Sequence, residues 1–167
     1  MKKIAEKKED LFEELTTELN NAGIQATVNR ATGEIALDST VLFGGDSAAV
    51  TEDGKAFLDK FLGVYVSVVY SEKYEGFISK TLIEGHTAPL ATSTYESGLP
   101  LSEERAANVR DYCLAAQVEV DTSALTAGLE AVGRSNSKPI YNEKGEVDME
   151  ASRRVSFRFV VNAEGVK

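Results

Sequence analysis

The sequence of 167 residues predicts an α/β or α+β fold, in which helices cover a sheet. The first observation is an apolar stripe at helical spacing over residues 4–19, with Lys and Glu on the remaining positions. The second is an alternation of Val or Phe with Ser or Arg over residues 155–161, which is the period of a strand. The third is that helical and extended patterns interleave between these two segments.

The elements between these two segments have their own local signals. Asn20, Asn21 and Gly23 end the first helix, and Thr32-Gly33 forms the turn of a hairpin. In the first half, the patterns predict strands at 24–29 and 34–37, a loop at 43–47 and a helix from residue 51, whose tail at 64–70 also fits an extended chain. A strand at 77–84, a polar loop at 88–100 and a helix from residue 102 follow. The patterns then predict a connection with one helical turn at 118–129, an irregular or edge stretch at 132–140 and a polar insertion at 142–149.

Composition limits the function classes. Hydrophobic residues make up 43% and charged residues 27%, which is the balance of a soluble globular protein of one domain. A formal net charge of -9 repels nucleic acid and anionic lipid, so neither is expected as a partner. The single cysteine, Cys113, lies in an apolar helical pattern and is expected in the core. Without a second Cys or a Cys/His cluster, the sequence predicts no intramolecular disulfide, metal site or cofactor.

The beginning of the chain gives no complete export signal. Met1-Lys2-Lys3 resembles the start of a signal peptide, but residues 4–10 lack the apolar segment that follows in such peptides. No stretch approaches the roughly 20 apolar residues that a membrane span needs. Two interpretations stay open, namely a cytoplasmic protein or a soluble part of a longer exported protein.

The stretch from Leu82 to Leu114 carries the most specific pattern. It contains, in order, Gly85-His86-Thr87, Tyr95, Leu101-Ser102-Glu103-Glu104-Arg105-Ala106, Val109 and Tyr112. The motif Ser152-Arg153-Arg154-Val155 opens the last strand. An upstream block consists of Leu42-Phe43 and residues 45–58. In this order and spacing, residues 11–162 resemble the C-terminal peptidoglycan-binding domain of outer membrane protein A and of the flagellar stator protein MotB.

The resemblance implies a two-layer sandwich, with a mixed sheet and helices packed on one face, and a ligand site at the Gly-His-Thr loop. In the family, an Asp after that Thr holds the ammonium of diaminopimelate in the stem peptide. The Arg before Ala, here Arg105, holds its carboxylate. The residues that the resemblance assigns to ligand binding are Arg105, Thr87, Ala88, His86, Tyr95, Ser97 and Arg154.

The chemistry of Arg105 fits this role. If Ser102 caps the helix, Arg105 falls at about the third helical position, beside free backbone N–H groups. Glu103 and Glu104 in the first turn favour this start. A guanidinium and a helix N-terminus together suit a carboxylate, because the guanidinium fork pairs with both oxygens. The alternative is a salt bridge from Arg105 to Glu104, Asp111 or another acid.

The sequence departs from the family pattern at three positions. Ala88 stands in place of the Asp, Glu96 in place of an Asn, and Ser152 in place of the closing Asn. A methyl group cannot pair with an ammonium, so three outcomes stay open. The site recognises a stem peptide with altered amine chemistry, Glu84 or Glu96 supplies the lost carboxylate, or wall binding is lost and a structural or dimerising role remains.

The resemblance therefore implies a non-catalytic, extracytoplasmic module that anchors a membrane or stator-type protein to the cell wall. Its predicted parts are an N-terminal helix at 1–22 in a juxtamembrane position, the binding domain at 23–162 and a tail at 163–167. Its implied partners are the peptidoglycan stem peptide, a second copy of the chain and a MotA-like membrane protein, reached through a missing anchor. The alternative is an assembly or dimerisation domain of the same fold without wall binding.

An enzyme is not expected. Ser93 and Ser97 lack an adjacent base and the Gly-x-Ser-x-Gly elbow that exposes a reactive serine. His86 is the single histidine and has no partner His or Cys for a metal. It is expected to order its loop by hydrogen bonding.

Overall fold

The computed structural model describes residues 3–44, 47–90, 92–116 and 118–162. In these ranges the helices are α1 (Ile4–Asn21), α2 (Ser39–Leu42), α3 (Glu52–Val69), α4 (Tyr95–Ala115), α5 (Ser123–Ala127) and α6 (Met149–Ser152), with a 3₁₀ turn at Glu72–Tyr74. The strands are β1 (Thr27–Asn29), β2 (Glu34–Asp38), β3 (Ile78–His86), β4 (Leu129–Gly133) and β5 (Arg154–Val161).

The strands form one mixed sheet in the order β1-β2-β5-β3-β4. The pairs β1-β2, β2-β5 and β5-β3 are antiparallel, whereas β3 and β4 are parallel. A parallel pair needs a crossover connection, and α4 with α5 provides it. The predicted hairpin is confirmed, because Val28 lies opposite Ile35 in the β1-β2 ladder.

The helices pack on one face of the sheet, which we call the covered face. The Phe12 ring of α1 lies 5.0 Å from the Phe159 ring of β5, between centroids, and the Phe61 ring of α3 lies 4.9 Å from that of Phe157. Ala106 of α4 joins the same buried cluster. The two-layer α/β (α+β) architecture predicted from the sequence is therefore confirmed.

Helix α1 belongs to the same hydrophobic core as the sheet. Its residues Leu11, Phe12, Leu15 and Leu19 are buried, as the helical stripe predicts. The predicted boundary at residue 22 and the juxtamembrane position of the first helix stay predictions. The predicted tail at 163–167 lies outside the described residues.

The start of the third long helix was predicted wrongly. Helix α4 begins at Tyr95, not after Ser102, so the polar loop predicted for 88–100 ends early. The Thr94 hydroxyl accepts a hydrogen bond from the Ser97 N–H, and the Ser97 hydroxyl accepts one from the Thr94 N–H. This reciprocal cap starts the helix. Pro100 disguises the start in the sequence, because it has no N–H for the carbonyl four residues earlier.

Smaller differences have local causes. The tail of α3 stays helical up to Val69, because Val68 and Val69 bury their side chains in the core. Residues 129–133 form β4, an edge strand of the sheet, so the edge character predicted from residue 132 is confirmed, although the strand starts three residues earlier. The helix α2 is capped by Asp38 and the helix α6 by Asp148, and neither helix was predicted.

The face of the sheet that α1, α3 and α4 do not cover we call the open face. Strand β5 directs Val155, Phe157 and Phe159 to the covered face, so Arg154 and Arg158 lie on the open face. The register places Glu34 opposite Arg158, and His86 opposite Arg154. The open face therefore carries charged side chains at the centre of the sheet.

Candidate functional site

Helix α4 approaches the sheet closely where β3 ends. Gly85 of β3 and Gly133 of β4 are register partners. A Cβ atom on Gly85 would lie 2.1 Å from the backbone oxygen of Ser102, and one on Gly133 would lie 2.3 Å from Cγ of Glu103. A side chain at Gly85 would displace backbone, so the glycine of the Gly-His-Thr motif is required for this approach. The approach fixes α4 relative to the residues that follow β3.

The residues after β3 are fixed through Ser135. The Thr87 N–H donates to the Ser135 carbonyl at 2.8 Å, and the Ser135 N–H donates to the Ser102 hydroxyl at 3.0 Å. The Ser135 hydroxyl donates to the Tyr95 carbonyl at 2.6 Å. Ser135 is buried with φ at 52°, a left-handed conformation that is unfavourable for a residue other than glycine. These bonds hold Thr87 beside the first turn of α4.

Arg105 lies inside α4 and not in its first turn, so its predicted position beside free helix N–H groups is wrong. Its Nε–H donates to the Ser47 carbonyl at 3.0 Å, and its guanidinium carbon lies 4.9 Å from the centroid of the Phe43 ring. One turn onward, Asn108 Nδ2 donates to the Ala48 carbonyl at 2.8 Å. Helix α4 therefore holds a buried cation against Phe43 and Ser47, and the ligand role of Arg105 stays a prediction.

Ala88 and its possible substitutes occupy different environments. The Ala88 side chain is buried, and it offers no carboxylate. Glu84 accepts hydrogen bonds from Arg134 Nε at 2.6 Å and from Arg158 Nε at 2.8 Å on the open face. Its carboxylate is thus already compensated by two cations, which argues against its replacing the Asp. Glu96 is exposed in the first turn of α4.

Two other residues assigned by resemblance lie in that first turn. The Tyr95 side chain is exposed, while its carbonyl accepts the bond from Ser135. The Ser97 hydroxyl also donates to the Thr94 carbonyl at 2.9 Å, so it is engaged in the helix cap. A ligand role for either residue stays a prediction.

His86 is buried on the open face and is uncharged near neutral pH. Burial, together with the positive charge of Arg154, lowers its pKa to about 4, although Glu34 and Glu84 act in the opposite direction. Its Nε2 lies 3.5 Å from Glu34 Oε1. Among the described residues, neither ring nitrogen has a hydrogen-bond partner. The prediction that His86 orders its loop by hydrogen bonding is therefore not confirmed.

Arg154 forms an internal ion pair with Glu34. Its Nε donates to Glu34 Oε1 at 2.5 Å and its Nη2 to Oε2 at 3.3 Å, while its Nη1 donates to the Lys138 and Ser152 carbonyls. Burial alone would raise the pKa of Glu34, but hydrogen bonds from Arg154 and Ser156 hold it below its usual value. The geometry gives Arg154 a structural task, and its ligand role stays a prediction.

Glu84 forms the second compensated centre of the open face. Burial would raise the pKa of its carboxyl, yet the hydrogen bonds from Arg158 and Arg134 lower it. The sequence analysis missed Arg134 and Arg158 as site residues. For Arg158 a signal was available, because the alternation of β5 places it on the same face as Arg154. For Arg134, which follows β4, no local pattern in the sequence indicates that it pairs with Glu84.

The described residues contain no group of three or more His, Cys, Asp or Glu side chains placed to hold a metal ion. Within the same ranges, the helices are too short or too polar to cross a membrane.

The fold is shared with solved structures of known proteins. A MotB-like protein of Desulfovibrio vulgaris has a TM-score of 0.67 and 20% identity, covering 95% of this chain and 94% of that one. The chain has a MotB-like fold. The cell wall anchor of the T6SS from Pseudomonas aeruginosa has a TM-score of 0.60 and 20% identity, over 89% of this chain and 97% of that one. The periplasmic domain of Helicobacter pylori MotB has a TM-score of 0.56 and 19% identity, over 78% and 77%.

The sequence is also similar to that of a named protein. It is 32% identical to the Zorya protein ZorB of Escherichia coli over 147 residues, which are 83% of this chain and 62% of ZorB. The chain thus spans less than two thirds of this relative. No family model matches the sequence. The predicted resemblance to OmpA-like and MotB-like domains is confirmed.

Proposed function

We propose that this MotB-like domain is a non-catalytic module that binds peptidoglycan and anchors a stator-type membrane protein to the cell wall. The names of its relatives support the class, since they include a cell wall anchor and a periplasmic MotB domain. The periplasmic location named for the Helicobacter pylori MotB domain supports an extracytoplasmic location for the module. The proposed partners are the stem peptide, a second copy of the chain and a MotA-like protein bound through a segment outside this chain.

The placement of Arg105 carries the proposal. The fold brings this arginine of α4 against Phe43 and Ser47, and thereby joins two blocks in which the sequence resembles the wall-binding family. The contact with Ser47 and the stacking on Phe43 restrict the guanidinium to one orientation. A guanidinium pairs with both oxygens of a planar carboxylate, and stem peptides carry carboxylates.

Ala88 weakens the expected affinity. A charge-assisted hydrogen bond contributes about 1.5–3 kcal/mol, and the ammonium of diaminopimelate has no such partner at Ala88. We therefore expect a stem peptide to bind mainly through its carboxylate, with a dissociation constant at least about tenfold higher than with an Asp at this position.

The first test is a titration with a diaminopimelate-containing stem tripeptide, followed by amide NMR. We expect saturable shifts at Ser47, Thr87 and Arg105. The variant Arg105→Lys keeps the charge but loses the fork, so it should weaken binding about tenfold or more. Arg110→Lys is the matched control on the same helix, where an exposed arginine pairs with Asp111.

Two outcomes would contradict this assignment. Shifts that persist unchanged in Arg105→Lys would place the ligand elsewhere, and no shifts at millimolar peptide would remove stem-peptide binding. The second outcome favours the alternative, an assembly or dimerisation domain of the same fold, for which the buried methyl group of Ala88 is the specific observation. Sedimentation of the purified chain would then show whether it dimerises. Turnover of muropeptides by the unaltered chain or by Arg105→Lys would contradict the non-catalytic assignment.

A further inference from the structure

The open face holds a groove that Arg105 does not line. Its volume is about 710 Å³, and the segment at 138–141 forms one of its walls. Ser47, Ala88 and Asn108 do not line it either, whereas His86 and Arg154, which the resemblance also assigns to ligand binding, do. The groove is therefore distinct from the Arg105 contact that carries the proposed function, and binding in it does not depend on that contact.

The groove concentrates positive charge in an acidic protein. Its described lining includes four cationic side chains but only two carboxylates, whereas the whole chain carries a net charge of -9. The carboxylates are those of Glu34 and Glu84, and both are ionised because their pKa values lie below the usual range. With His86 neutral, two positive charges remain uncompensated within the lining. A surplus of this sign raises the local concentration of small anions.

Three of the cations have donors left for a ligand. Arg134 donates to Glu84 through Nε, and Arg158 through Nε and Nη2. Among the described residues, the other guanidinium nitrogens of these two arginines have no hydrogen-bond partner, and the two side chains are 34% and 32% exposed. Lys138 is exposed. Arg154, by contrast, is buried and its three nitrogens all donate within the protein.

Glu84 prepares the two arginines for binding. Its two oxygens hold Arg134 and Arg158 at 2.6 and 2.8 Å, so both guanidinium groups are oriented before a ligand arrives. Orientation in advance reduces the entropy lost on binding.

The single histidine points to a ligand independently of the charges. His86 lines the groove with only 4% of its side chain exposed, and neither of its ring nitrogens has a hydrogen-bond partner among the described residues. A buried polar atom without a partner costs about 1–3 kcal/mol, and most such atoms in folded proteins are satisfied. An oxygen atom reaching the inner part of the groove would accept a bond from the imidazole N–H.

We propose that this groove is a binding site for an oxyanion group, a carboxylate or a phosphate, held by Arg134, Arg158 and Lys138 above His86. Both anions present oxygen atoms that match a guanidinium fork. The two sources differ in charge and geometry, and titration distinguishes them.

The test uses the intact chain and its single histidine as the reporter. Inorganic phosphate and N-acetyl-D-alanine, a compact carboxylate, are titrated separately at constant pH and ionic strength, with sodium chloride as the balancing salt. The imidazole ring resonances should shift saturably with at least one of them. Phosphate alone or the carboxylate alone would each support the site and identify its ligand class.

Matched variants locate the binding. Lys138→Gln and Arg134→Gln should each raise the dissociation constant about tenfold, by removing one charged contact. Lys144→Gln, in the loop that follows the segment at 138–141 and outside the groove, and Arg110→Gln should leave it unchanged. Glu84 keeps Arg158 as a partner in Arg134→Gln, and a thermal melt verifies that each variant folds. The proposal is overturned if the ring shifts stay linear in concentration, if chloride reproduces them, or if both groove variants bind like the unaltered chain.

Discussion

The two faces of the sheet solve burial in different ways although the same strands build both. On the covered face, Phe157 lies among rings of α3 and makes apolar contacts with them. On the open face, Arg154 is equally buried but must satisfy each donor with a named acceptor. Apolar burial is non-directional, whereas a buried charge is stable only with a partner in good geometry.

The difference shows that residues of the hydrophobic core and residues of the charged network alternate along one strand, β5. Neighbouring residues of β5 point to opposite faces, so a shift of one residue in register would exchange the core with the charged network. The charged pairs Arg154–Glu34 and Arg158–Glu84 oppose such a shift. The core and the network therefore specify the register of β5 together.

Truncation on the covered face should have the largest effect on stability. Phe157→Ala removes a fully buried ring and leaves a cavity, so the free energy of unfolding should fall by about 4 kcal/mol. Urea denaturation of both proteins measures the difference. Leu114→Ala, at an exposed position of α4, is the control and should change stability by less than about 0.5 kcal/mol. Equal effects of the two changes would mean that Phe157 is not in the core.

Disrupting the open-face ion pair should lower the free energy of unfolding by less, and a second substitution should compensate for much of the loss. Glu34→Leu leaves Arg154 buried without its carboxylate and should cost about 3 kcal/mol, the lower end for such pairs because two carbonyls still accept from Arg154. Adding Arg154→Met should restore much of that loss. The four proteins of this double-mutant cycle are compared by urea denaturation. Additive losses would show that the two side chains do not interact.

The smallest effect concerns pH and isolates His86. Its folded pKa of about 4 lies below the unfolded value of 6.5, so the unfolded state binds more protons between these limits. The contribution of neutral His86 to the free energy of unfolding is present above pH 6.5 and is lost as the pH is lowered through this window. Between about pH 7.5 and about pH 5.5 the loss should be about 1 kcal/mol, and His86→Gln should abolish it. Glu34 and Glu84 remain ionised over this interval, so an unchanged loss in the variant would exclude His86 as its source.

The elements with a strong period were predictable from the sequence. The stripe of α1, the alternation of β5 and the hairpin of β1 with β2 each depend on neighbours in the chain, and the structure confirms them. The start of α4 was not, because Pro100 and Ser102 give a stronger local signal than the cap at Thr94. The contacts of Ser135 with Tyr95 and of Asn136 with Thr94 also favour the earlier turn, and both contacts join residues far apart in the sequence.

By itself the sequence determined the fold class, the alternation of strand faces and the motif order that identifies a MotB-like domain. These properties depend on local periodicity and residue order. Only the tertiary structure decided that Arg105 stacks on Phe43 and that Arg134 and Arg158 share Glu84. Such contacts depend on strand order and on the close approach of α4 at Gly85, which bring together residues that no local pattern links.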